Sequence, residues 1–383
     1  MMVIYKAYKF RIYPNSKQIN MINKNIGSSR FVFNYYLDKK IKEYKDSNKI
    51  LSLKEIKHDL VILKNEYVWL KENDSMSLTN SLEDLDASFT NFFDKRGCFP
   101  KFKSKGIKDS YKTDMIRSTY KGRKYENISV DVKNKTIKLP KIGIVKIRGY
   151  RYLKEFDKDI KNVTISKEGN KYYASVCVKE VIIERPFMLS NALGIDLGIK
   201  DLVITSDGIK YKKLDISRVL KHIEDLQKKL SKCQKKSIRR YKLKLKIKRA
   251  YMKLKNMRKY YIHEITKTLV SDNDLIITED LKVKNMIEEK RLSKYITNAS
   301  FSEIIRVLKY KTRWSGKKLI RVNTYFPSSQ ICHRCGFQNK EVKDLSVRKW
   351  ECEECGCMHD RDINSSENIL FEGVRLFYKN EYC

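Results

Sequence analysis

Three segments far apart in the chain each carry a carboxylate at the edge of an apolar run: Gly194-Ile195-Asp196-Leu197-Gly198, Ile276-Ile277-Thr278-Glu279-Asp280-Leu281 and Asp360-Arg361-Asp362-Ile363-Asn364. Carboxylate oxygens suit hard divalent cations such as Mg²⁺. Phosphodiester hydrolysis without a covalent intermediate commonly uses two such ions about 4 Å apart, one activating water and one stabilising the leaving oxygen. Asp196, Glu279 and Asp362 are therefore candidate catalytic Mg²⁺ ligands, with Asp360 an obvious rival to Asp362. Taken singly, each acid also fits a turn or a solvated strand end. Together, in the order strand-hairpin, strand, helix, they point to cutting nucleic acid. The glycines flanking Asp196 are expected to leave room there for a phosphate and a metal.

A second constellation lies between the second acid and the third. Cys332-His333-Arg334-Cys335 and Cys352-Glu353-Glu354-Cys355 are separated by 16 residues, within the spacing of a C-x2-C, C-x2-C structural zinc site. Gly336 and Gly356 follow the two pairs and can complete knuckle turns in which amides approach sulfur. Four thiolates close the Zn²⁺ tetrahedron and leave no open position for catalysis. His333, Cys357 and His359 are near enough to substitute, but a fifth ligand is not needed. Cys98, Cys177, Cys233 and Cys383 stand alone and read as small apolar fillers or free thiols.

The surrounding chain must be able to hold a polyanion. Its 83 Lys and Arg against 46 Asp and Glu give a formal net charge of +37, a field whose foremost partner is nucleic acid. Between Ile209 and Tyr260 there are 21 basic residues against 3 acidic ones, in a pattern expected to be helical from about Asp215 to Val270. Like charges at i, i+4 repel, so this stretch reads as phosphate-contacting rather than merely solvated. No apolar run reaches about 18 residues and no secretory signal with a small-residue cleavage site is visible. The expectation is a cytoplasmic protein, nucleoid-associated when on DNA, with no membrane partner.

Hydrophobic periodicity sets the elements that position these groups. Tyr8, Phe10 and Ile12 alternate with Lys9 and Arg11 in a strand from Val3 to Tyr13 that stops at Pro14. Helical patterns follow, with Asn15 or Ser16 as a cap, a Ser52/Glu55 capping box, and a buried stripe of Leu78, Leu82, Leu85, Phe89 and Phe92. From about Tyr111 to Glu184 the period becomes two, with a hairpin at Gly169-Asn170, and the expected form is a β-barrel or sandwich interrupted by the helices. After Pro186 come short buried strands, with a hairpin turn at Asp207-Gly208.

These motifs resemble the RuvC-like nuclease domain of TnpB, a transposon-encoded RNA-guided endonuclease family related to type V CRISPR effectors. The resemblance rests on Gly194-Ile-Asp196-Leu-Gly198, Glu279-Asp-Leu281 with Lys284-Asn285-Met286, Pro327-Ser-Ser329 ahead of Cys332, and Asp360-Arg-Asp362 with Asn364 and Asn368-Ile369. Toward the amino terminus it includes Tyr8-Lys-Phe10-Arg-Ile-Tyr-Pro14, Arg30-Phe31 with Asn34, and Phe99-Pro-Lys-Phe-Lys103, so it covers nearly the whole chain. It favours Asp362 over Asp360, because the family's acid lies two residues before the Asn. Ser365 and Ser366 stand where the family usually has alanines.

The resemblance implies an α/β RNase H-like (RuvC) nuclease domain over 187–326 and 358–383, with a zinc ribbon inserted at 327–357. It also implies an N-terminal β-barrel wedge domain over 1–14 and 106–186, carrying a helical recognition insert at 15–105. The implied activity is Mg²⁺-dependent cleavage of double-stranded DNA that is complementary to a guide RNA from the transposon end and adjoins a short protein-read motif. The implied assembly is a monomer with one RNA. A protein-only DNA transposase and a nuclease-inactive RNA-guided repressor are the alternatives, and the intact triad speaks against the second.

Overall fold

The alternating pattern at the amino terminus makes strand β1 (Met2–Tyr13), with Ile4, Phe10 and Ile12 buried. In the computed structural model, residues 2–120, 123–148, 159–182, 187–288, 299–344 and 346–382 are described, and the chain divides into two units, Met1–Ile182 and Ile183–Cys383. The expected boundary at Pro186 and the isolated Cys383 lie outside the described residues.

In the first unit β1 is a central strand. The chain adds β2 (Asp109–Asp114), a separate hairpin of β3 (Arg117–Tyr120) and β4 (Arg123–Glu126), and then β5 (Ser129–Asp131), β6 (Thr136–Leu139), β7 (Gly143–Arg148), β8 (Asp159–Glu168) and β9 (Lys171–Ile182). One antiparallel sheet has the order β2-β8-β9-β1-β7-β6-β5. Tyr111 of β2 shares a single core with Ile128 beside β5 and Ile137 of β6, so the two ends of the sheet curl toward each other. The ladder itself is not closed by a β2–β5 pair among the described residues.

Three helices sit between β1 and β2, as the change of period requires: α1 (Ser16–Ser47), α2 (Leu53–Glu66) and α3 (Ser75–Phe93). Capping boxes open the first two, at Asn15/Gln18 and Ser52/Glu55. Val32, Leu37, Leu60, Leu78, Leu82 and Leu85 form their own core.

The second unit is a five-stranded mixed sheet. Its strands are β10 (Ala192–Asp196), β11 (Asp201–Thr205), β12 (Lys210–Lys212), β13 (Leu275–Glu279) and β14 (Lys318–Val322), ordered β12-β11-β10-β13-β14. The first three are antiparallel, whereas β13 runs parallel to both β10 and β14. The basic stretch forms α4 (Ser217–Ser231) and α5 (Ile238–Asp272), followed after β13 by α6 (Val283–Glu288) and α7 (Phe301–Trp314), and the described chain ends in α8 (Arg361–Tyr382).

Both sheet faces are covered, which is why β10 and β13 read as unbroken apolar runs rather than alternating ones. On one face Ile195 and Ile276 pack with Ile265 and Leu269 of α5 and Ile304 and Leu308 of α7. On the other, Leu275 and Ile277 pack with Ile369 and Phe377 of α8. Alternate residues of β13 thus serve opposite layers.

Candidate active site

Parallel strands paired in register deliver their last residues to one edge. Ile195 of β10 pairs with Thr278 of β13, so Asp196 and Glu279 end adjacent strands side by side. Helix α8 begins at Arg361, and its first turn presents Asp362 to the same edge, close enough for its charge to act on Asp196. All three acids are half-buried. The structure therefore brings together the three carboxylates singled out in the sequence.

The field at this edge is strongly negative. Desolvation first, then the charges of Glu279 and Asp362, push the Asp196 carboxyl up to about 7, against the opposing pull of the Leu197 amide and the Ser365 hydroxyl. Desolvation also raises Glu279, offset in part by a hydrogen bond from the Ser328 hydroxyl to its Oε1. Arg348 Nη1 lies 3.3 Å from Asp362 Oδ1 and brings a positive charge to the rim of the triad.

The neighbouring acids are engaged elsewhere. Asp360 Oδ1 accepts the amides of Asp362 and Ile363 at 3.1 and 3.2 Å, capping α8, while its Oδ2 pairs with Lys210 at 2.7 Å. Asp280 pairs with Arg321 at 2.7 Å. Each thus has a cationic partner, whereas neither Asp196 nor Glu279 is in an ion pair among the described residues.

One expectation requires correction. A β-carbon on Gly194 would come within 2.1 Å of the Ser366 backbone oxygen, and one on Gly198 within 2.7 Å of the Asp201 oxygen. The space these glycines provide is filled by α8 and by the turn into β11, not kept open for a phosphate and metal. Gly373, to which the sequence assigns no role, serves the same purpose further along α8, where a β-carbon would meet the Ile277 side chain at 2.1 Å.

The four cysteines Cys332, Cys335, Cys352 and Cys355 converge, with all four sulfurs within 4.8 Å of one another. This donor set fits a structural zinc ion. Gly336 and Gly356 take left-handed backbone angles of 82° and 64° and return their amides to the Cys332 and Cys352 carbonyls, closing both knuckles. Desolvation acts to raise the Cys352 thiol, but the amides of Cys355 and Glu354 with the neighbouring sulfurs outweigh it and bring it down to about 7. Of the alternative ligands, His359 lies behind the site with Nε2 at 3.1 Å from Cys332 Sγ, and His333 turns to Asn364 and Glu367. Cys98 is exposed, and Cys177 and Cys233 are half-buried free thiols.

The cysteine module is bonded directly into α8, the helix that carries Asp362. Its hairpin of β15 (Lys349–Glu351) and β16 (Met358–Asp360) runs straight into α8. Asn364 Nδ2 and Asn368 Nδ2 both donate to the Ile331 carbonyl, at 2.7 and 2.6 Å, and the His333 amide donates to Asn364 Oδ1 at 3.0 Å. Sequence reasoning had no role for Ser328, Ser365 or Arg348. Polar residues on the sheet-facing side of α8 were the available signal for Ser365; Arg348, one cation among many in a loop, had none.

Comparison with known proteins places this architecture. Residues 301–369 match the family model described as “Cas12f1-like, TNB domain”, residues 175–290 “Probable transposase”, and residues 1–49 “Helix-turn-helix domain”. A protein of Streptomyces pristinaespiralis, named as a candidate RNA-guided DNA endonuclease, is 30% identical over 98% of this chain and 90% of its own length. InsQ of Escherichia coli (strain K12), named in the same way, is 31% identical over 96% of this chain and 92% of its own. The chain belongs to the TnpB family. Among solved structures, Cas12f1 in its complex with sgRNA and target DNA shares the fold with this TnpB chain, with a TM-score of 0.59 at 13% identity over 96% of this chain and 98% of that one. The segment matched as helix-turn-helix is folded in this TnpB protein as one strand and one long helix, β1 and α1.

Proposed function

We propose that this protein is an RNA-guided DNA endonuclease of a transposable element, cutting at a RuvC-like, RNase H-like centre formed by Asp196, Glu279 and Asp362. The observation that carries the reading is the gathering of those carboxylates from β10, β13 and α8 at one sheet edge, where Asp196 is pushed up to about 7 by burial and by the other two acids. Such a concentration of negative charge, built only of oxygen donors, fits Mg²⁺. Among the described residues only the cysteines place all their ligand atoms within 4.8 Å, and the wider set of the acids suits two ions better than one. When bound, Mg²⁺ would activate water and stabilise the leaving oxygen. The chain's own contribution is to hold three carboxylates on two strands and a helix, and to keep the cysteine module fixed to that helix.

The regions of the chain fit the division expected of the family. The curled sheet of the first unit serves as the wedge domain, α1 to α3 as the recognition insert, the mixed sheet of the second unit as the nuclease, and the cysteine module as its zinc ribbon. The +37 charge supports guide RNA and target double-stranded DNA as partners. In that arrangement base pairing reads the sequence and the protein reads a short adjacent motif. The similarity of the whole chain to relatives named as RNA-guided DNA endonucleases supports the same activity.

The deciding experiment is to purify the protein expressed with its native flanking DNA and sequence the nucleic acid that accompanies it. Plasmids carrying the matching target are then incubated with Mg²⁺. A discrete RNA ending beside the gene, together with cleavage of the matched plasmid alone, is the expected result. Specific binding of transposon ends without RNA would instead favour a protein-only transposase, and guided binding without cutting a repressor.

A further inference from the structure

Two buried hydroxyls stand between the strand-end acids. Ser328 is 5% exposed and donates to Glu279 Oε1. Ser365, on the first turns of α8, is 3% exposed; its Oγ donates to Ser328 Oγ at 3.0 Å, and its hydroxyl bears on the Asp196 carboxyl, pulling it down against burial. Ser365, Ser328 and Glu279 thus form a chain of hydrogen bonds that joins α8, the segment entering the cysteine module and the end of β13, with the Ser365 hydroxyl also acting on Asp196 at the end of β10. Each hydroxyl has one proton, so Ser365 serves Asp196 or Ser328 at any moment.

Burying a hydroxyl is costly unless it is bonded, and on the sheet-facing side of α8 an alanine would fill the same place. Ser366, the next residue, provides the contrast: it is fully buried as well, but its hydroxyl donates to the Ile363 carbonyl of its own helix and, among the described residues, has no hydrogen bond to either acid. We propose that Ser365 and Ser328 are positioning residues, a hydroxyl bridge that sets the separation and rotamers of Asp196 and Glu279 before divalent cations enter. Two like-charged carboxylates left to themselves rotate apart, and cation binding would then have to order both. Groups that orient metal ligands in this way typically contribute about 10- to 100-fold in metal affinity or activity.

The inference rests on the proposed reading of these acids as metal ligands, and the test separates the two. Mn²⁺ binding to the zinc-loaded, RNA-free full chain is measured from the electron paramagnetic resonance signal of free Mn²⁺. Asp196→Ala should lose the binding; if it does not, the metal-ligand reading fails and the bridge with it. Given that loss, Ser365→Ala and Ser328→Ala should each bind Mn²⁺ about tenfold more weakly. In the RNA-loaded enzyme, half-maximal cleavage should need correspondingly more Mn²⁺, with a smaller change at saturation. Ser366→Ala, equally buried, should bind as the native chain does. Native affinity in Ser365→Ala, or an equal loss in Ser366→Ala, would overturn the proposal. If Ser328→Ala does not fold, the comparison of the two α8 serines decides alone.

Discussion

The backbone oxygen of Ser366 lies where a side chain on Gly194 would have to go. A β-carbon there would approach that oxygen to 2.1 Å and the Leu370 amide nitrogen to 2.7 Å. Strand β10 and helix α8 are therefore in direct backbone contact, and the same two elements carry Asp196 and Asp362.

Gly194→Ala should consequently act on stability and on the site together. Overpacking a well-filled core typically costs about 1–3 kcal/mol, and neither β10 nor α8 has a flexible side chain at this contact that can yield. The variant should unfold at lower urea and cleave more slowly, with its zinc content unchanged. A native urea midpoint would show that the two elements can separate without cost.

The rival acids at the start of α8 can be separated by mutation. Asp362→Ala, like Asp196→Ala and Glu279→Ala, should lower cleavage by more than the roughly 100-fold typical of changes one shell out from a metal, while guide RNA binding persists. Asp360→Ala removes the cap of α8 and the partner of Lys210, so its first effect should be a stability loss of about 0.5–2 kcal/mol. Cleavage by Asp362→Ala at native rates, alongside an inactive but stably folded Asp360→Ala, would reverse the assignment.

Asp196 also predicts how metal-free stability depends on pH. Its carboxyl is raised to about 7 in the folded chain, against about 3.9 for an ordinary Asp. Between those values the folded state holds a proton that the unfolded chain has released. Stability should thus fall as pH rises from about 4 to about 7, by at most about 1.4 kcal/mol per pH unit, and level off above. Urea midpoints of the zinc-loaded protein without Mg²⁺, compared with Asp196→Asn, isolate this group. A difference between the two proteins that stays constant across the window would contradict the shift.

Much of this was legible in the sequence because the determining physics is local. Capping boxes, the change from helical to alternating period, and cysteine spacing each depend on residues within a few positions of one another. That is why the helices between β1 and β2, the Gly169-Asn170 hairpin and the four-cysteine cluster lie where the residues place them. The strand-end acids were readable only as a set, since each alone also fits a turn or a solvated strand end and it is their order along the chain, beside a one-sidedly basic stretch, that singles them out. What escaped were contacts that only chain crossing creates. Gly194 reads the same whether its space admits a ligand or a helix backbone, and Ser328 and Ser365 are 37 residues apart. Arg348 meets Asp362 only because the β15–β16 hairpin folds back on α8.

Zinc should support the acids at a distance. With Asn364 and Asn368 both held by the Ile331 carbonyl, loosening the first knuckle frees the start of α8. Cys335→Ser, or removal of zinc by a chelator that is then washed out, should lower the melting temperature and cleavage in parallel, because metal binding and folding of such a module are linked. Restoring zinc to the chelated native protein should restore both. An unchanged melting curve in protein shown to be zinc-free would separate the module from the stability of the nuclease sheet.

The basic helices should account for much of the nucleic-acid affinity. Helices α4 and α5 bury Leu226 against Leu243, Ala250 and Leu254, so the lysines between those positions are turned outward. Lys244, Lys248 and Lys255 are exposed, and their spacings of four and seven put them along one side of α5. No carboxylate lies within salt-bridge reach of them among the described residues, which leaves their charge available to phosphate. Each such contact contributes about 0.7–0.9 log units of affinity per log unit of salt. Replacing all three with glutamine should therefore weaken guide RNA binding at low salt and flatten the salt dependence by about 2 units of slope. The melting temperature should hold, because none of the three packs a core. Binding measured across a salt series tests this: an unaltered slope would mean that the RNA is held elsewhere on the chain, and that the one-sided charge of α5 repels without compensation.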